Sequence, residues 1–68
     1  MQCRIIVENA NGKIIQSKVE TLTNDDYKHL ISLTKETIPY ISFVDEEGNE
    51  VIFKKTFLEN SVITFKTW

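Results

Sequence analysis

The sequence predicts an α+β fold: a mainly antiparallel four- to five-stranded sheet with one helix packed on one face, in the order ββαββ(β). Three observations carry this. Apolar runs flank two segments of the form Asx-x-x-Gly, NANG at 9–12 and DEEG at 45–48, and each reads as a hairpin turn. The stretch between them, LTNDDYKHLISLTKET, shows a helical repeat behind a capping signal. The end, SVITFKTW, is dense in the β-branched and aromatic residues that fit a pleated surface.

The first hairpin can be drawn in two registers. A two-residue turn at Asn11-Gly12 sets Val7 opposite Gln16 and Ile5 opposite Lys18, which mixes polar and apolar side chains on both faces. A three-residue loop, Ala10-Asn11-Gly12, sets Val7 opposite Ile15, Ile5 opposite Ser17 and Cys3 opposite Val19, giving one nearly all-apolar face. A slip of one residue turns every side chain to the other face, so the pattern favours the longer loop strongly. That loop needs a left-handed residue at its third position, which Gly12 supplies, and Asn9 suits the first position of the turn. The second hairpin repeats the device. A loop of Glu46-Glu47-Gly48 sets Phe43 opposite Val51 and Ile41 opposite Phe53, with Asp45 in the place of Asn9. Both glycines of the chain fall in these turns, which leaves none for a Gly-rich phosphate loop.

For the helix, Thr23 is the expected N-cap, with Asp26 three residues on in the manner of a capping box, and Leu22 and Tyr27 stand at the positions of a hydrophobic staple. Asp25 and Asp26 complement the positive end of the helix dipole. Tyr27, Leu30, Ile31 and Thr34 form the apolar stripe, widened by Leu33. The helix should run from about 24 to 36 and stop before Pro39, which disfavours helix at Ile38. Near the end, FLENS reads either as a tight turn or as a short looped segment that tucks Phe57 and Leu58 into the core, followed by a last strand.

Composition bounds the function. The chain of 68 residues is a single small domain, 1–68, and a domain of that size buries only about 60% of its unfolded surface. It holds one cysteine, Cys3, and one histidine, His29, so neither an internal disulfide nor a metal site of the usual Cys/His spacing can be built. Tight packing or self-association is left to supply stability. A lone cysteine suits a reducing compartment, and no apolar run approaches the ~20 residues that span a bilayer. With no secretory signal in MQCRIIVE, the expected location is cytoplasmic and no membrane partner is expected. Eight basic against ten acidic residues, net charge −2, argue against nucleic acid as the main partner.

His29 flanks the apolar stripe without a Cys, a second His or a placed Ser, which fits a surface histidine rather than a base or ligand. Cys3 alternates with Ile5 and Val7 on the apolar face, where a thiol packs and stays inert. Asp25 and Asp26 have a sufficient role at the helix start. Asp45, Glu46 and Glu47 lie at a hairpin tip, and DEEGNE lacks the longer ligand-bearing loop of calcium sites. No catalytic residue, cofactor or metal is expected. Aromatics on a sheet beside Lys54, Lys55 and Lys66 could stack single-stranded bases, but Phe43, Phe53 and others are needed for the core.

What remains is a surface. The register puts Cys3, Ile5, Val7, Ile15, Val19, Ile41, Phe43, Val51 and Phe53 on one set of sheet faces. The opposite set is not cleanly polar: Ile6, Ile14, Tyr40, Val44 and Ile52 stand among Arg4, Glu8, Gln16, Lys18 and Lys54. One helix covers one face, so coplanar hairpins would leave a band of aliphatic side chains uncovered, as partner sites do. A last strand carrying Trp68 offers a free edge as a second route. The layout, a tight-turn hairpin followed by the capped TNDDY helix start, resembles that of small proteins of Gram-positive bacteria and their phages, some of which bind and inhibit host enzymes. The expected function is a non-enzymatic protein-interaction module, self-associating or acting as an inhibitor or adaptor of a host protein. The competing reading is a single-strand nucleic-acid binder.

Overall fold

The computed structural model describes residues 1–35 and 40–68, with Thr34 known by its backbone alone. The elements are β1 (Gln2–Asn9), β2 (Ile14–Gln16), β3 (Glu20–Thr21), α1 (Asn24–Lys35), β4 (Tyr40–Val44), β5 (Glu50–Lys54), α2 (Lys55–Leu58) and β6 (Ser61–Thr67). Every strand pairing is antiparallel, and the class is the expected α+β.

Both hairpins close on three-residue loops. Val7 faces Ile15 in the first, and Ile41 faces Phe53 and Phe43 faces Val51 in the second. The two turns share one chemistry. Asn9 Oδ1 accepts the amides of Asn11 and Lys13, and Asp45 Oδ1 accepts those of Glu47 and Asn49. Gly12 and Gly48 then sit at φ 84° and 87°, the left-handed conformation that only glycine adopts without a steric cost.

β1 is the centre of the main sheet. One of its edges carries β2 and then β3; the other carries β6 along its length, from Cys3 opposite Thr67 to Asn9 opposite Ser61. Between β2 and β3 the register changes. Ile6 pairs with Gln16, yet Cys3 pairs with Glu20, so the second strand holds one residue more than the first across this stretch. This is a β-bulge, and it corrects the expected pairing of Cys3 with Val19. The extra residue turns Val19 off the inner face, and its side chain is exposed.

The bulge is also a joint. Ser17 is buried; its amide donates to the Ile5 carbonyl, and its Oγ accepts the Ile5 amide at 2.8 Å while donating to the Lys18 carbonyl. Its neighbour Lys18 donates to the Val44 carbonyl at 2.8 Å, and Ser17 bridges to Asp45. The hairpin of β4 and β5 thus forms a second ladder, tied to the main sheet at this corner. The hairpins are not one coplanar sheet, as an uninterrupted outer band would require.

The inner faces of both ladders meet in a thin core. Cys3, Val7 and Phe53 are the hydrophobic residues buried outright among those described. Phe43 and Phe57 flank Phe53, with ring centroids 5.2 and 5.4 Å away. The FLENS segment resolves into the single turn of α2, which carries Phe57 against Phe53, and then β6. α1 starts as expected: Thr23 Oγ1 accepts the Asp26 amide, and an Asp26 carboxylate oxygen accepts the Thr23 amide. Tyr27 meets Phe65 edge-on at 6.4 Å. The expected stop before Pro39 and the place of the Thr34 side chain lie outside the described residues.

Two stability predictions follow from this geometry. Gly12→Ala and Gly48→Ala meet no atom within 4 Å of the new Cβ, so their cost is the left-handed backbone alone. Each should lower the unfolding free energy by about 1–2 kcal/mol in urea titration. Ser17→Ala leaves the buried Ile5 amide without its acceptor and should cost about 1–3 kcal/mol in the same titration.

Candidate interaction surface

The outer face of the main sheet is built by the even positions of β1 and their partners. Across it run three rows: Ile14–Glu8–Val62, Gln16–Ile6–Thr64, and Arg4 beside Lys66. Ile14 is 53% exposed and Val62 66%, on either side of Glu8, while Ile6 is half-buried at the centre. Arg4 leans toward the tip of the second hairpin, where its Nη1 lies 3.5 Å from Glu46 and 3.4 Å from Gln16 Oε1. The outer face therefore holds two aliphatic side chains around a carboxylate, edged by cations.

The second ladder has its own outer face. Tyr40 pairs with Lys54 and Ser42 with Ile52. Tyr40 is 56% exposed and Ile52 58%, and with Lys54, Lys55 and Thr56 they line an open groove of about 350 Å³. Of the six residues expected to form a partner surface, the structure brings Ile6 and Ile14 together on one ladder and Tyr40 and Ile52 on the other. Val44 joins neither group. It is half-buried and lines a small cleft of about 50 Å³ with Cys3, Ile5 and Leu30, because the joint at Lys18 draws this end of β4 against the main sheet. Trp68 is exposed, its backbone exchanging both hydrogen bonds with Gln2.

Val62 is the member of this surface that the sequence reading omitted. A signal for it was present, since Val62, Thr64 and Lys66 alternate with Ile63 and Phe65 and only the second set is strongly apolar. Choosing the outward phase needs the pairing to β1, which no local pattern encodes.

The groups considered for chemistry take ordinary places. His29 is exposed on α1. Asp26 serves the helix cap and Asp45 the turn. Among the described residues no three His, Cys, Asp or Glu side chains gather as a metal site would need. An apolar cleft of about 280 Å³ lies where Leu30 and Leu33 of α1 stand over Ile5, Ile41 and Phe65. No helix among the described residues is long and apolar enough to cross a membrane. All four phenylalanines stand in ring contacts of the core.

Fold and surface together define a small α+β domain with exposed aliphatic side chains set among charged ones on the outer faces of two ladders. No family model matches the chain, and no characterised protein and no solved structure matches it.

Burial pushes the Cys3 thiol above its ordinary value. The folded thiol thus holds its proton more tightly than the unfolded one. Its contribution to stability is intact below the unfolded thiol's pKa of about 8.5 and is lost as pH rises through the higher folded value. Ellman's reagent at neutral pH should react with Cys3 slowly in the folded chain and at once after denaturation. Fast labelling of the folded chain would contradict this burial.

Proposed function

We propose that the chain is a non-enzymatic protein-interaction module of the cytoplasm, acting as an inhibitor or adaptor through the outer faces of its two ladders. The observation that supports this most is the placement of Ile14 and Val62 on either side of Glu8, each more than half exposed on the same sheet face. Scattered single apolar residues are ordinary on a protein surface, whereas neighbours in one row form a patch that a partner can bury. The groove at Tyr40 and Ile52 supplies a second apolar area about a separate set of cations.

A specific feature also favours a second reading. Tyr40 shares its groove with Lys54 and Lys55, an aromatic face beside two charges, which is what a single-stranded nucleic acid needs for stacking and phosphate contact. The placement of all four phenylalanines in the core leaves Tyr40 and Trp68 as the exposed aromatics, so any such site is small.

Ile14→Lys and Ile52→Lys test the two faces separately. Both positions are exposed, so each change should leave stability within about 0.5 kcal/mol. Affinity capture from extract of the source organism should retain a specific protein with the parent chain and lose it with one of the variants. Retention of every bound protein by both variants would sink the proposal. Titration of a fluorescent oligonucleotide should show no binding that weakens steeply with salt; such binding, abolished by Tyr40→Ala, would instead favour the second reading.

A further inference from the structure

β6 is an edge strand whose pattern of free groups suits a second copy of itself. The exchange of hydrogen bonds between Gln2 and Trp68 sets the phase of the β1–β6 ladder. Alternation along an antiparallel pair then turns the amides of Val62, Thr64 and Lys66 toward β1, and those of Ser61, Ile63, Phe65 and Thr67 away from it. Among the described residues no strand pairs with that outward edge. Ile63 and Phe65 remain half-exposed although they face the core, whereas Val7, opposite Ile63 on β1, is fully buried. The strand contains no proline and no glycine, and Lys66 is its one charge.

That charge is badly placed within one chain. Lys66 stands directly opposite Arg4, and like charges so placed destabilise a ladder. Arg4 has Glu46 as its anion, while Lys66 makes none of the ion pairs found among the described residues. Glu8, on the same face two rows away, makes none of them either.

We propose that two copies pair antiparallel through their β6 edges about a two-fold axis at Thr64, joining the main sheets of both into one. This rests on the interaction reading above and names its partner. Self-pairing with Thr64 opposite its own copy uses all seven residues of the strand, so that Ile63 faces Phe65 and Ser61 faces Thr67. Shifting the axis by a residue shortens the overlap. In this register Lys66 of one copy lies over Val62 of the other. One strand further on is Glu8, opposite Val62, so the two charges are separated by two strand spacings, about 10 Å between backbones. A lysine and a glutamate can close that gap from opposite sides, with the lysine stem covering the exposed Val62. Two-fold symmetry makes the contact twice. Pairing thus satisfies the free amides, removes Val62 from water and gives both lone charges a partner.

The test is the molar mass of the 68-residue chain by light scattering and sedimentation from micromolar to millimolar concentration. Five variants accompany the parent. Val62→Lys sets a second cation against Lys66 of the other copy and competes for Glu8. Thr67→Pro removes an outward amide that β1 does not use, so the protomer keeps its ladder. Lys66→Glu sets a carboxylate near Glu8 of the other copy, and Glu8→Lys with Lys66→Glu restores opposite charges. Ile52→Lys alters the other ladder only. The expected result is a dimer that Val62→Lys, Thr67→Pro and Lys66→Glu each weaken at least tenfold, that the double exchange recovers, and that Ile52→Lys leaves unchanged. Circular dichroism of each variant at low concentration shows whether the protomer is folded. Amide exchange should slow at Ile63, Phe65 and Thr67 as concentration rises in the parent and not in Thr67→Pro.

A dimer lost in Ile52→Lys and kept in Thr67→Pro would overturn the edge pairing while leaving the interaction reading standing on the outer face. A monomer at every concentration would overturn it too, and the interaction reading would then rest on the captured protein. A monomer together with failed capture would sink both.

Discussion

The hydrogen bond from the Ile5 amide to Ser17 Oγ is where the two ladders of this molecule become one fold. In a regular ladder the Ile5 amide would take a backbone carbonyl from the facing strand. Here the second strand carries an extra residue, and the serine hydroxyl fills the gap at 2.8 Å. The displaced backbone is then free to turn, and one residue later Lys18 bonds to Val44 on a different hairpin. An alanine at 17 would nearly keep the volume and leave a buried donor without an acceptor, which is the costly half of losing a hydrogen bond. Much that distinguishes the surface descends from this corner: the splitting of the outer face, the exposure of Val19, the half-burial of Val44, and the approach of Glu46 to Arg4.

The core that this arrangement encloses is small, and its parts are held unequally. Phe53 is gripped on both sides by other rings, and β1 is flanked on both edges. α1 is held less firmly. Tyr27 and Leu30 reach the sheet, but clefts of about 280 and 50 Å³ lie beside Leu30, and no described α1 side chain is fully buried. Voids of this kind forfeit dispersion contacts along their walls. The helix therefore depends on its own start, where Thr23 and Asp26 satisfy two amides that would otherwise bond only to water. β6, bonded along one edge only, is the other lightly held element, and local opening should begin in these two before it reaches β1.

What was legible in the sequence was local. Asn9 with Gly12, Asp45 with Gly48, and Thr23 with Asp26 each act over three or four residues, and each was readable with its geometry because the partner is close in the chain. The apolar pattern then carried the pairings of Val7 with Ile15 and of Phe43 with Val51. The bulge was hidden because its reason lies outside the hairpin: Ser17 looks like an ordinary cross-strand neighbour of Ile5 until Val44 is seen to claim Lys18. The outward phase of β6 was hidden likewise, since it follows from pairing Ser61–Thr67 with residues more than fifty positions away. The surface residues divided along the same line. Ile6 and Ile14 needed the first turn alone and share a face as read, while Val44 needed the joint.

Glu8 constrains what can cover the outer face of the main sheet. Docking any partner over Ile14 and Val62 removes the water that solvates the carboxylate between them. Removing that water without replacement costs several kcal/mol, more than two partly exposed aliphatic side chains return. A purely apolar partner is therefore a poor fit, despite the aliphatic pair. A fitting partner brings a cation or a cluster of donors to Glu8 while closing over its neighbours, or it approaches from the side and leaves the carboxylate at a wet rim. A long cationic side chain entering across Val62 does both: its stem takes the apolar contact and its head meets the charge at the margin, where desolvation is incomplete. The row Ile14–Glu8–Val62 is thus less a greasy patch than a recognition element whose middle residue selects for positive charge.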